Sequence, residues 1–333
     1  MTIKVMHFGL GPIGAAVARQ VATRKGLRIV GGIDIDIAKV DRDIGDVIGI
    51  GKRLHARVWS DAMMALKKTK PDVVVLCTSS SLRSVLPQIE VILKARIPIV
   101  STTEELAYPT PSSRSLVKKI DTLAKSVGAA VLGTGVNPGF VMDTLPIALT
   151  GACERVDAIH VYRIQDARSR RLPFQQKIGA GLTVKQFKRR VVDGSVRHVG
   201  LTESIQMIAD ALGWRLSNIT DKIEPKTAQA RVDSEWITVE PGYVSGLIQD
   251  GVGYVDGKPL ITLHMEAYLG APETYDAIVI DGSPPLNVRV IGGTHGDIAT
   301  ASIVVNSIPK ILAAAPGYRT MKDLPIPSFF RGS

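Results

Sequence analysis

Gly9-Leu10-Gly11-Pro12-Ile13-Gly14 carries three glycines at the spacing G-x-G-x-x-G, between an apolar run, Thr2–Gly9, and a helical pattern over Pro12–Arg24. That context gives the spacing a mechanism. Gly9 permits a tight turn, Gly11 lets the backbone approach a pyrophosphate, and Gly14 lets helix pack on strand. Pro12 presets the first helical position, and with Ile13 it opens a helix whose first amides face the phosphates. Asp34 stands 20 residues past Gly14, at the end of a second strand, where a carboxylate accepts bonds from both ribose hydroxyls. It repels a 2′-phosphate, so the expected cofactor is NAD. No arginine follows Asp34 immediately, but Lys39 or a rotated Asp34 leaves NADP open.

Three polar segments fall where strands should end. Thr78-Ser79-Ser80-Ser81, Ser101-Thr102-Thr103-Glu104-Glu105 and Gly133-Thr-Gly-Val-Asn137-Pro138-Gly139-Phe140 each follow an apolar run. Ligands of open α/β sheets bind beyond the carboxyl ends of the strands. The hydroxyls of Thr78, Ser79, Ser80, Ser101 and Thr102 are therefore candidates for the ribose, and Asn137 with Pro138 for the nicotinamide carboxamide. Each segment reads equally well as a solvated loop or a helix cap. Glu104 and Glu105 are the candidates for catalysis. A partly desolvated carboxylate beside a nicotinamide can stabilise a developing iminium and move protons on ammonia or water. One of the two is expected to serve and the other to face solvent or a helix N-terminus, with Glu104 preferred.

The elements that must position these groups alternate. Strands are expected at Leu27–Ile33, Asp72–Cys77, Ile97–Ser101 and Ala129–Gly133. Helices are expected at Asp61–Thr69, Ser84–Ala95 with Pro87 in its first turn, and Ser112–Val127. Such alternation implies an α/β fold with a Rossmann, doubly wound parallel sheet. After about residue 150 the pattern changes to strands at Val156–Ile164, Trp236–Val239, Val252–Val255, Leu260–Ala267, Ala277–Ile280 and Leu286–Ile291, with helices at Val184–Val192 and Glu203–Leu212. This is an α+β domain on a mostly antiparallel sheet. A long helix, Asp297–Ala315, should return to the first domain, where Asn306 is a candidate for the cofactor or for burial against the sheet. The expected division is 1–140 with 297–333 for the dinucleotide, and 141–296 for substrate and dimerisation.

Composition excludes several classes. The chain has 333 residues, 45% hydrophobic and 22% charged, and no run approaches the ~18 apolar residues of a membrane span. Its start lacks a signal-peptide pattern, so cytoplasmic residence is expected. Cys77 and Cys153 belong to no metal-binding cluster, so no metal site is expected. The net charge of +10 comes from 41 basic residues spread among 31 acidic ones. No aromatic-rich platform accompanies the basic stretches, so an anionic small molecule explains them better than nucleic acid.

Four segments together resemble a family. Val100-Ser-Thr-Thr-Glu-Glu-Leu-Ala-Tyr-Pro109, Gly135-Val-Asn-Pro-Gly-Phe-Val-Met-Asp143, Arg168-Ser-Arg-Arg-Leu-Pro-Phe-Gln-Gln-Lys-Ile-Gly179 and Thr294-His-Gly-Asp-Ile-Ala-Thr-Ala301 are similar to segments of the 2,4-diaminopentanoate dehydrogenases and the native amine dehydrogenases. Both groups are built on the dihydrodipicolinate reductase fold. The resemblance implies NAD(P)-dependent oxidative deamination of an amine, reversible as reductive amination of a ketone or aldehyde with ammonia. It implies a catalytic glutamate in the Glu104–Glu105 pair, a nicotinamide contact at Asn137-Pro138-Gly139, and a homodimer. The stretch Gln165–Thr183 contains no histidine, which sets the chain apart from dihydrodipicolinate reductases. A substrate carboxylate can be received by Gly179-Ala-Gly-Leu-Thr183 at a helix start, assisted by Lys177, Arg163 and Arg168. Phe140 can instead line an apolar pocket, and His198 and His264 are further candidates. Alternatives are an amino-acid or imine reductase on the same scaffold, and a protein that binds NAD without catalysis.

Overall fold

An apolar run ending in a glycine turn makes a buried central strand. In β1 (Ile3–Phe8), Val5, Met6 and His7 are fully buried. The computed structural model describes residues 2–332, and β1 belongs to a unit made of residues 2–140 and 295–332. The chain continues through α1 (Pro12–Thr23), β2 (Leu27–Ile33), α2 (Ile44–Val47), β3 (Val58–Trp59), α3 (Ala62–Thr69) and β4 (Val73–Leu76). It then forms α4 (Leu82–Lys94), β5 (Ile99–Ser101), α5 (Arg114–Val127) and β6 (Ala130–Gly133).

The second unit, Val141–Thr294, begins with α6 (Thr144–Thr150), β7 (Arg155–Asp166), α7 (Leu172–Lys177), α8 (Val184–Val192) and α9 (Leu201–Ala211). Its remaining strands are β8 (Asn218–Thr227), β9 (Val232–Asp233), β10 (Thr238–Val239), β11 (Val244–Val255), β12 (Lys258–Tyr268), β13 (Tyr275–Ser283) and β14 (Leu286–Ile291). The chain then re-enters the first unit as α10 (Gly296–Leu312) and β15 (Gly317–Arg319).

The first unit is a Rossmann-like parallel sheet in the order β15-β6-β5-β4-β1-β2-β3. Phe8, Leu76, Ile89, Ile92, Ile99 and Ile120 form a core on one side of it, and α10 packs against α1. The second sheet runs β14-β13-β7-β12-β11-β8; β7 and β12 pair in parallel and its other pairs are antiparallel. Gly251 and Gly253 leave room on that sheet for Leu201 and Ile205 of α9. No helix among the described residues is long and apolar enough to cross a membrane.

Local differences from expectation have local causes. Helix α4 starts at Leu82, so Pro87 is its sixth residue rather than part of its first turn. Glu105 Oε2 receives the Leu82 amide at 2.8 Å and supports the earlier start. The helix that follows the Asn137 loop, α6, starts only at Thr144. Asp143 delays it to Thr144, with its carboxylate held by the Thr144 amide and the Ser204 hydroxyl. Strand β8 is read poorly from sequence because it is an exposed edge strand, where polar residues and Pro225 are tolerated.

Candidate active site

Gly9 turns the chain with φ +90°, and a Cβ there would lie 2.6 Å from the Cys77 carbonyl oxygen. A Cβ on Gly14 would lie 2.0 Å from the Gly9 carbonyl oxygen, so the turn closes only with glycine at both positions. A Cβ on Gly11 would meet nothing within 4 Å: this glycine is required by no protein neighbour. Helix α1 has Gly11 as N-cap, Pro12 in its first turn, no side-chain cap and no acidic residue in that turn. Its first amides thus carry the positive end of the helix dipole toward open space. This arrangement fits a pyrophosphate at Gly11, Pro12, Ile13 and Gly14.

Asp34 follows β2 and is 9% exposed. Its Oδ2 receives the Leu10 amide at 2.8 Å and its Oδ1 the Asp36 amide at 3.0 Å. Burial pushes this carboxyl up, but the two amides and the Lys39 ammonium outweigh burial and hold it below its ordinary value. An ionised Asp34 beside the glycine turn is the acceptor that a ribose diol needs.

The next segments gather at the carboxyl ends of β4, β5 and β6. Thr78 Oγ1 donates to Gln88 Oε1 at 2.6 Å, Ser79 Oγ receives the Ser81 amide, and Ser80 O receives the Glu105 amide. Ser101 departs from expectation. It is fully buried, its hydroxyl donates to Leu76 O at 3.0 Å, and it receives the Thr103 amide. That hydroxyl shapes the loop and is removed from the cofactor contacts. Thr102 anchors its amide on Leu76 O. Thr103 Oγ1 donates to Ser79 O at 2.8 Å, which ties the β4 and β5 loops together.

Glu104 and Glu105 sit in a short helical turn, Glu104–Leu106. Both are half-buried. Glu105 is committed through Oε2 to the Leu82 amide at the start of α4. The turn is fixed from behind by Tyr318 of β15, whose hydroxyl donates to Leu106 O at 2.8 Å, and by Gly133, where a Cβ would lie 2.5 Å from the Leu106 carbonyl carbon.

Asn137 and Pro138 occupy the loop after β6. Thr300 of α10 receives the Val136 amide at 3.3 Å, so two of the segments that carry the family resemblance meet here. Asn306 lies elsewhere. Its Oδ1 accepts from Arg24 Nη1 at 3.0 Å, beyond the C-terminal end of α1. With that helix rising ~1.5 Å per residue, Asn306 sits about a helix length from Gly11 and is not a cofactor contact.

The substrate candidates divide over the second unit. Arg163 is 2% exposed, donates to Asp276 Oδ1 at 2.9 Å and to Thr294 O at 2.8 Å, and is therefore a structural ion pair rather than a free cation. Arg168 lies on the surface against Asp166. Thr183 is the N-cap of α8, in a capping box with Gln186. His264 pairs with Asp250 and Glu266 on the sheet face opposite Arg163, since Met265 is the residue in register with Arg163. Each of these four side chains thus has a protein partner.

Lys177 and His198 do come together, along with Arg170, which sequence reasoning quoted in a motif but did not select. The His198 imidazole is held well below its usual pKa, first by burial and then by the positive charges of Lys177, Arg163 and Arg170. Gln249, in a stretch of strand that the sequence pattern missed, receives the His198 amide and donates to His198 O and Asp221. Arg170 donates to Gln165 Oε1 at 3.0 Å and stacks 4.0 Å over Phe174. Phe140 is half-buried in the first unit.

The model of the 2,4-diaminopentanoate dehydrogenase C-terminal domain matches residues 140–333. A 2,4-diaminopentanoate dehydrogenase of Acetoanaerobium sticklandii is 35% identical, over 99% of this chain and 95% of its own. The chain belongs to the 2,4-diaminopentanoate dehydrogenase and amine dehydrogenase family. The solved amine dehydrogenase of Mycobacterium smegmatis is similar throughout, with a TM-score of 0.89, 26% identity, and coverage of 100% of this chain and 99% of that one. A dihydrodipicolinate reductase of Paenisporosarcina sp. TG-14 shares the fold at a TM-score of 0.53 and 15% identity, covering 97% of this chain and 99% of that one. As a member of this family the chain is a dehydrogenase acting on CH–NH2 groups.

Proposed function

We propose that this chain is an NAD-preferring dehydrogenase that deaminates an amine carrying a carboxylate, such as 2,4-diaminopentanoate, and in reverse aminates the corresponding ketone with ammonia. The carrying observation is the family match joined to a glycine turn and an ionised Asp34 that together fit a dinucleotide. When bound, the nicotinamide accepts or returns a hydride at the carbon bearing nitrogen. The chain's own groups do the remainder. Gly11 and the first amides of α1 hold the pyrophosphate, Asp34 the ribose and Asn137 the carboxamide.

Glu104 is the acid/base that moves protons as water adds to the imine carbon and ammonia leaves it, and in reverse as ammonia adds to the ketone carbon and water leaves. The commitment of Glu105 to the Leu82 amide supports this choice within the pair. A carboxylate ionised near a developing iminium stabilises the charge formed in the transition state. The substrate carboxylate is received by Lys177 and Arg170. His198, kept neutral, adds no competing proton chemistry there. The acting form is proposed as a homodimer, checked by sedimentation.

An NADH-consumption screen at high ammonia tests the reading. 2-Amino-4-oxopentanoate should be turned over, and unfunctionalised ketones of similar size should be turned over at least ~10-fold more slowly. Ketone reduction without ammonia would replace an amine dehydrogenase by an alcohol-forming enzyme. Preference for plain ketones would remove the carboxylate contact.

A further inference from the structure

A fully buried carboxamide stands in the chain between Arg170 and Lys177. Gln175 lies on α7, five residues after Arg170 and two before Lys177. Its Nε2 donates to Ala167 O at 3.0 Å, to Arg168 O at 3.3 Å and to Arg170 O at 2.9 Å. It therefore ties the turn that carries Arg170 to the helix that carries Lys177. Its Oε1 accepts from Ser234 Oγ at 2.8 Å, in the link between β9 and β10. That hydroxyl already receives the amides of Trp236 and Ile237, so its one hydrogen is left to give, and Gln175 Oε1 is nearer than Ile237 O at 3.0 Å. A carboxamide that accepts at one end turns its N–H pair the other way, so Ser234 fixes which end of Gln175 meets the three carbonyls. The Arg170 side chain is held separately, by Gln165 Oε1 and the Phe174 ring.

We infer that Gln175 is a positioning residue for the substrate: its amide sets the spacing of Arg170 and Lys177 to one carboxylate, and Ser234 holds that amide in orientation. The inference rests on the proposed receipt of the substrate carboxylate by those two cations. Two charges grip one carboxylate only at matched distances, and a misplacement of ~1 Å is enough to lose most of such a contact. Without the Gln175 amide the carbonyls of Ala167, Arg168 and Arg170 lose a buried donor, so the turn shifts toward other partners and carries Arg170 with it. The carboxylate is remote along the substrate from the ketone carbon. Its contact is made alike in the ground and transition states, so weakening it raises KM and spares kcat.

The experiment is steady-state NADH consumption at saturating ammonia by the wild type, Gln175→Met, Ser234→Ala and Arg170→Gln, with 2-amino-4-oxopentanoate and pentan-2-one as substrates. Gln175→Met should raise KM for 2-amino-4-oxopentanoate at least ~10-fold, keep kcat within ~3-fold and leave KM for pentan-2-one within ~2-fold. Ser234→Ala should raise the same KM at least ~3-fold, and it decides alone where Gln175→Met does not fold. Equal rises for both substrates, a fall in kcat without a change in KM, or an unchanged KM in both variants overturns the inference. Arg170→Gln should raise KM for 2-amino-4-oxopentanoate and not for pentan-2-one. An unchanged KM in Arg170→Gln would instead strike the carboxylate reading on which the inference rests.

Discussion

Glu105 receives the amide of Leu82 at 2.8 Å, and this bond distinguishes two adjacent glutamates. One acid supports the start of α4. Its neighbour in the same turn, Glu104, is the acid/base proposed above. Glu104→Gln should lower turnover at least ~100-fold with the fold intact. Glu105→Gln should cost about 1 kcal/mol of stability and leave turnover within a few-fold. Steady-state rates and urea unfolding of both variants decide it. The reverse pattern would exchange the two roles.

The glycines divide in the same way. Gly11→Ala meets no neighbour, so its melting temperature should stay within ~2 °C of the wild type while NADH affinity drops at least ~10-fold. Gly14→Ala forces a methyl to 2.0 Å from the Gly9 carbonyl oxygen, so it should destabilise the unit before any ligand is added. Calorimetric melts without cofactor separate the two.

His7 predicts a pH dependence. Its ring is fully buried with neither nitrogen hydrogen-bonded, and burial lowers its pKa to about 3. The unfolded chain takes up a proton near pH ~6.5 and the folded chain does not, so stability falls as pH drops from there toward 3 and is unaffected above. At pH 5 the loss from this group is about 2 kcal/mol. His198 adds to the loss in the same direction. His7→Val should flatten the urea-derived stability between pH 7 and 5. An unchanged slope would show that the ring protonates without unfolding.

Arg163 and Asp276 grip Thr294 from both sides: the arginine donates to its carbonyl and the aspartate receives its amide at 2.7 Å. Removing either partner strands a charge that is almost fully buried. Arg163→Met and Asp276→Leu should each cost about 3–5 kcal/mol, and the double variant should recover a large part of the loss. Additive losses in urea unfolding would contradict a coupled pair.

What the sequence made legible follows from how local each signal is. The glycine turn, Asp34 and the alternating elements of the first unit depend on neighbours within ~30 residues, and they read clearly. The short turn with two glutamates was visible, but nothing in two identical residue types shows which carboxylate meets the Leu82 amide. The basic residues of the second unit were over-read. Nothing local shows that Arg163 meets Asp276, 113 positions later, or that Arg168 is held by the nearby Asp166 on the surface. Tyr318, which braces the glutamate turn, sits on a three-residue strand too short to carry a periodic signal.

That strand has a consequence for how the protein is made. β15 pairs in parallel with β6, and Arg24, just after α1, has its guanidinium over the rings of Phe329 and Phe330. The unit that holds β1 to β6 therefore cannot be finished until β15, which follows the whole second unit in the chain, has been made. Translation adds roughly 5–20 residues per second, and nascent domains tend to fold as units. Throughout synthesis of the second unit, β6 presents a bare sheet edge, and the loop bearing Glu104 lacks its rear support. The nascent chain can form its glycine turn long before the Glu104–Leu106 turn is braced.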